Sequence, residues 1–308
     1  MTTATATARD VRHWHRPLLV LTVVMAVLAA ITAVAIFADP RVLTGMPIWV
    51  KPFKFAVSLG VYGFTLAWTL SVLPRRSRVA EWAATVIVAA ASIEIVVIVT
   101  QAIRGTTSHY NETSALNSAL WQSMGSSIMV LFAAHFVIAV IVLRRRIADR
   151  ASAYAIRLGL GLALLGMLAA VPMVMPPGAS FGQAHTVGLP DGGPGLPLVG
   201  WSTVGGDLRI GHFVGLHGLQ ALPLLALLLD RFFATRLTVV TRARLLLVAG
   251  PAYAILVVML TWQALRAQPL LQPDALTLTA WTALALVTAA AATTVVVRGR
   301  RSELALAA

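Results

Sequence analysis

The chain has 308 residues, of which 58% are hydrophobic and only 11% charged, and it carries a formal net charge of +13. A soluble domain carries about 25% charged residues, and the lack of cysteine excludes disulfides, thiolate metal sites and thiol nucleophiles. The basic residues fall in short segments between apolar runs, so the charge is topology information rather than a nucleic-acid-binding face.

Eight apolar runs read as membrane-spanning helices, over 17–38, 53–74, 80–103, 120–143, 153–175, 209–229, 244–265 and 276–297. The period-2 alternation of a transmembrane β-barrel is absent. The expected fold is an all-α polytopic helix bundle. It divides into a tail (1–16), a first four-helix half (17–150), a second half (151–301) and a short tail (302–308).

The first run is ~20 residues long, beyond the ~7–15 of a signal-peptide core, so it reads as a retained span. The second opens on Trp49-Val50-Lys51-Pro52-Phe53-Lys54. The third carries Glu94 inside an otherwise apolar stretch. A carboxylate at membrane depth costs a few kcal/mol and marks a functional path or a buried partner. Gln101 lies seven residues on, on nearly the same helical face, and Arg104 and His109 follow in the next loop. His135, deep in the fourth span, suits an interhelical hydrogen bond better than a haem axial ligand, because no second histidine lies at its depth.

Residues 176–208 are rich in Gly and Pro and include His185 and Asp191; a loop this long is commonly a lid or binding segment. The sixth span then begins Asp207-Leu208-Arg209-Ile210-Gly211-His212 and continues to His217 and Gln220. At 100° per residue His212 and His217 diverge by about 140°, so they do not form a helical zinc pair. His217 and Gln220 share a face. Gly211, Gly215 and Gly218 have the spacing of close helix packing. At 1.5 Å per residue, Glu94 and His217 lie about 15 and 12 Å below the same surface, where they can meet.

Six basic residues, Arg41, Lys51, Lys54, Arg104, Arg209 and Arg266, fall on that side, and the other eighteen of the 24 fall opposite. The positive-inside rule then places both termini in the cytoplasm. The bias toward arginine, with lysine only at 51 and 54, fits a GC-rich bacterium, hence an inner membrane. Gln101-Ala102-Ile103-Arg104 and Gln263-Ala264-Leu265-Arg266 close the third and seventh runs, and Trp121 and Trp281 follow at similar distances. Such likenesses fit two tandem parallel repeats.

The expected function is a metal- or ligand-handling membrane enzyme or redox protein, with Glu94 and His217 catalytic. Lys54, Gln101, Arg104, His109 and Gln220 would bind substrate, and His212, His217 and Asp207 would hold a metal. A divalent metal or haem would be the cofactor. The partners would be the bilayer, a small-molecule ligand and, in a homo-oligomer, further copies of the chain. The alternative is a proton-coupled carrier of two four-helix repeats, with Pro172, Pro223 and Pro251 interrupting helices.

Overall fold

The structure, a computed structural model, describes residues 11–175 and 184–307. It consists of α1 (Arg16–Ala38), α2 (Val50–Ser71), α3 (Arg78–Ile103), α4 (Ala115–Arg144), α5 (Arg150–Leu168), α6 (Leu208–Phe233), α7 (Val239–Leu265) and α8 (Ala275–Ala307). All eight are long and apolar enough to cross a bilayer, α5 together with the 3-10 turn Val171–Val174. The chain is therefore an all-helical, multi-pass membrane protein. Two small antiparallel hairpins decorate the loops: β1 (Val42–Leu43) with β2 (Met46–Pro47), and β3 (Thr186–Val187) with β4 (Gly206–Asp207).

Short side chains set many of the helix starts. The hydroxyls of Ser77, Ser114 and Thr238 and the carboxylates of Asp149 and Asp207 accept from backbone N–H groups of α3, α4, α7, α5 and α6. Each such cap is worth about 1 kcal/mol. Helix α2 starts three residues ahead of the expected 53, at Val50, because Pro52 lies in the first turn, where its missing N–H has no intrahelical partner anyway. Pro223 and Pro251 lie inside continuous α6 and α7 and do not interrupt them. Pro172 does mark an end: α5 gives way there to the 3-10 turn.

The first pair of each set of four helices packs closely, but the second pair differs between the sets. Helix α1 packs chiefly on α2, and α3 on α4; α5 packs chiefly on α6, and α7 on α6, α5 and α8. The two halves meet where α4 touches α5 and α2 touches α6. The α5–α6 pair is the tightest because glycines face each other. A methyl group built on Gly166 or Gly215 overlaps the other helix's backbone, and one on Gly159 comes within 3.1 Å of the Gly218 carbonyl. This is the small-residue packing that membrane helices use where no hydrophobic drive separates them from lipid.

The ends of α3 and α7 carry the same clamp. Gln101 Nε2 donates to the Thr107 carbonyl at 3.2 Å, and Gln263 Nε2 donates to the Pro269 carbonyl at 2.8 Å, six residues ahead in each case.

Candidate functional site

Polar side chains gather at the end of the bundle where α2 and α6 begin and α3 ends. Lys51, in the first turn of α2, donates from Nζ to His109 Nδ1 at 3.2 Å, and the Ser108 hydroxyl approaches the same nitrogen at 3.1 Å. One turn on, Lys54 Nζ donates to the Val199 carbonyl at 2.7 Å, fastening α2 to the 184–207 segment. In the chain's full set of 24 basic residues these are the two lysines, and both have neutral hydrogen-bond partners.

That segment folds over the site. Asp191 accepts from the backbone N–H groups of His185 and Thr186, from the Thr186 hydroxyl at 2.8 Å and from His185 Nδ1 at 2.5 Å. Asp207 accepts from the Ser202 and Arg209 N–H groups and pairs with the Arg209 guanidinium at 2.6 Å, with its own side chain fully buried. Arg209 also donates to the Gly200 carbonyl. The sequence expectation of a lid over 176–208 concerns 184–207 here, since 176–183 lie outside the described residues.

Rings line the space between. His109 lies 5.4 Å from Trp121 and 6.1 Å from both His185 and Phe55, centroid to centroid. Tyr110 sits between Trp121 and His185, at 4.9 and 5.1 Å. Its backbone is left-handed, with φ of +54°. That costs about 1–2 kcal/mol and persists only where the surroundings fix it.

Burial lowers the His109 imidazole well below its usual range, and the charges of Lys51, His185 and His212 add to the effect. His109 is thus neutral and accepts from Lys51. Burial also lowers His185, with Asp191 opposing it. Burial works to raise the Asp191 carboxyl, but hydrogen bonds and charge from His185, with help from Thr186, outweigh it and hold the group below the carboxylate range.

The residues expected from sequence are separated into distinct groups. Glu94, on α3, accepts from the Ser127 hydroxyl of α4 at 2.8 Å and lies in electrostatic range of Lys51. His217 faces α2: its Nε2 is 3.5 Å from the Ser58 hydroxyl, and its Nδ1 donates to Gln220 Oε1 at 3.2 Å. Gln220 in turn donates to the Thr65 hydroxyl at 3.4 Å. Glu94 and His217 therefore take different partners rather than each other. Gln101 and Arg104 both donate to Asn117 Oδ1, at 3.1 and 2.9 Å, and so brace the loop that carries His109.

The proposed metal set does not assemble. Asp207 is taken up by Arg209 and Ser202, His212 Nδ1 by the Gly166 carbonyl at 2.7 Å, and His217 by Ser58 and Gln220. Among the described residues no three His, Asp or Glu side chains stand close enough to hold one ion. His135 has both ring nitrogens engaged, by the Tyr62 hydroxyl at 2.8 Å and the Leu160 carbonyl at 3.2 Å. It acts as the interhelical tie expected of it.

Sequence reasoning gave no site role to Ser58, Tyr62, Tyr110 and Trp121. Tyr110 and Trp121 carried a signal: an aromatic residue beside His109 and a tryptophan nearly two turns into α4. No family model matches this chain, and no curated protein or solved structure matches it either.

Proposed function

We propose that this is a bacterial inner-membrane protein, with both termini in the cytoplasm, that binds a small anion, a phosphate or a carboxylate, in the periplasmic half of its bundle and acts on it there. The observation that carries this reading is the pair Lys51 and Lys54. Each ammonium group is half-buried under the lid, and each hydrogen-bonds to a neutral acceptor. Asp191 and Glu94 act on Lys51, and Asp207 on Lys54, through space rather than by contact. A partly buried ammonium with no carboxylate in contact is costly, so an anionic ligand that completes the pairing is the simplest reason to keep both.

The choice of residue supports the same reading. In a chain that elsewhere uses arginine throughout, lysine stands at these two positions alone. An ammonium is a compact, rotatable point charge, unlike the planar guanidinium fork. Phe55, Trp121 and Tyr110 supply apolar and aromatic surface around the charges, as small-molecule sites require. His109 and His185 would supply proton donors and acceptors to the bound group, and Glu94 lies in electrostatic range of Lys51.

The test is thermal stability of detergent-purified protein in phosphate, succinate and citrate. Stabilisation should be saturable for at least one of them and absent in Lys51→Met and Lys54→Met. Stabilisation that is equal in both variants and the parent protein would remove the reading.

A carrier built from two parallel four-helix repeats is the second reading. It is favoured by the close α1–α2 and α5–α6 pairs and by the matching Gln101 and Gln263 clamps.

A further inference from the structure

Helix α2 bears Lys51, Lys54, Ser58, Tyr62, Thr65 and Thr69 at successive spacings of three or four. At 100° per residue all six fall within an arc of about 80°, and they extend over ~27 Å, close to the thickness of the hydrocarbon layer. This stripe faces the junction between the halves. Ser58 and Thr65 meet His217 and Gln220 of α6, and Tyr62 meets His135 of α4.

The hydrogen bonds along it run in one direction. The Ser58 hydroxyl donates toward His217 Nε2, His217 Nδ1–H donates to Gln220 Oε1, Gln220 Nε2–H donates to Thr65 Oγ1, and Thr65 donates to the Val61 carbonyl. Thr69 then breaks the pattern. Threonines in these helices return their hydroxyl to the carbonyl four residues back, as Thr22, Thr32, Thr65 and Thr85 do. Thr69 is fully buried, and its hydroxyl has no partner. A buried hydroxyl without a protein partner calls for water.

We propose that the α2–α6 seam is a hydrated proton path that joins the lysine site to the opposite end of the bundle. Water enters beside Ser58 and continues from Thr65 to Thr69 and the end of α2. His217 is the relay: its imidazole takes a proton on Nε2 from water on the Ser58 side and releases the one on Nδ1 to water that passes the Gln220 amide and leads on to Thr65, the amide orienting the ring and carrying no proton itself. One proton enters and one leaves, so the ring stays neutral and ring rotation resets it. The path goes beyond anion binding, and its flux is read with no anion added.

The test uses the lack of cysteine in the chain. Single variants Ser58→Cys, Thr65→Cys and Thr69→Cys are exposed to a charged methanethiosulfonate reagent, whose sulfur is attacked by the thiolate, with loss of methanesulfinate; the thiolate forms only in contact with water. All three should label, whereas Ala67→Cys, fully buried on the opposite face of α2, should not. In parallel, the parent protein in liposomes with an internal pH dye should pass protons under an imposed potential. Thr69→Val should slow that flux by roughly tenfold while folding normally, since the hydroxyl it loses is unpartnered. Protection of Thr65→Cys and Thr69→Cys, a parent flux equal to that of protein-free liposomes, or an unchanged flux in Thr69→Val would each overturn the path.

Discussion

Acidification should destabilise the fold through His109. The unfolded histidine titrates near pH 6.5. In the folded protein burial, then Lys51, His185 and His212, push His109 well below that value. The folded state therefore binds fewer protons than the unfolded state as pH falls below about 6.5, and stability must fall with it. Between pH 7.5 and 5.5 the unfolded imidazole goes from mostly neutral to mostly charged. The resulting loss is about 1.4 kcal/mol for this one residue. For a chain of this size that corresponds to a shift of roughly 2–4 °C in melting temperature. The assay is thermal unfolding in detergent at the two pH values, for the parent protein and for His109→Asn. The amide oxygen of asparagine can still accept from Lys51, so the substitution removes the titration and keeps the contact. Titrating groups remote from His109 contribute to both proteins and cancel in the comparison. The drop on acidification should be smaller in His109→Asn by about that amount. An equal drop in both would show that His109 is not held neutral.

Three further outcomes follow from the geometry. Gly166→Val places its side chain in the backbone of α6 and should destabilise by about 3 kcal/mol or more, whereas Gly161→Ala, with open space around it, should be neutral or slightly stabilising in the same thermal assay. Asp207→Ala removes the α6 cap and leaves Arg209 without its carboxylate, so 184–207 should become the first site cut in limited proteolysis; retained resistance would contradict its anchoring role. A reporter fused after Arg301 should be active only in the cytoplasm, and periplasmic activity would reverse the proposed orientation.

The spans were legible because each is a long apolar run, and a run of that length has few other readings. Boundaries were less so. Pro52 looked like a residue to start after, but a first-turn proline costs the helix nothing. Helix α8 continues through Arg298–Arg301 to Ala307 because arginine is a good helix former whose stem can reach out of the apolar layer. The two-residue hairpins leave no periodic trace. Within the site, Glu94, His109 and Lys54 stood out by charge against apolar surroundings, yet their partners depend on how separate helices come together. Asp207 was read as a ligand when its place just before an apolar helix already marked a cap. The α2 stripe was written in the sequence at helical spacing. Hydroxyl residues in membrane helices usually satisfy their own backbone, so Ser58, Thr65 and Thr69 carried no signal until α6 was placed against them.

The central claim is that Lys51 and Lys54 await an anion. Because they are the two lysines of the chain, a membrane-impermeant amine reagent reports on them directly when its incorporation is read by peptide mass. Vesicles with the periplasmic face outward should be labelled at both residues. Added phosphate or a dicarboxylate should slow that labelling saturably, without slowing labelling of a lysine-containing reference peptide in the same sample. Labelling at a rate independent of every anion tested would contradict the account.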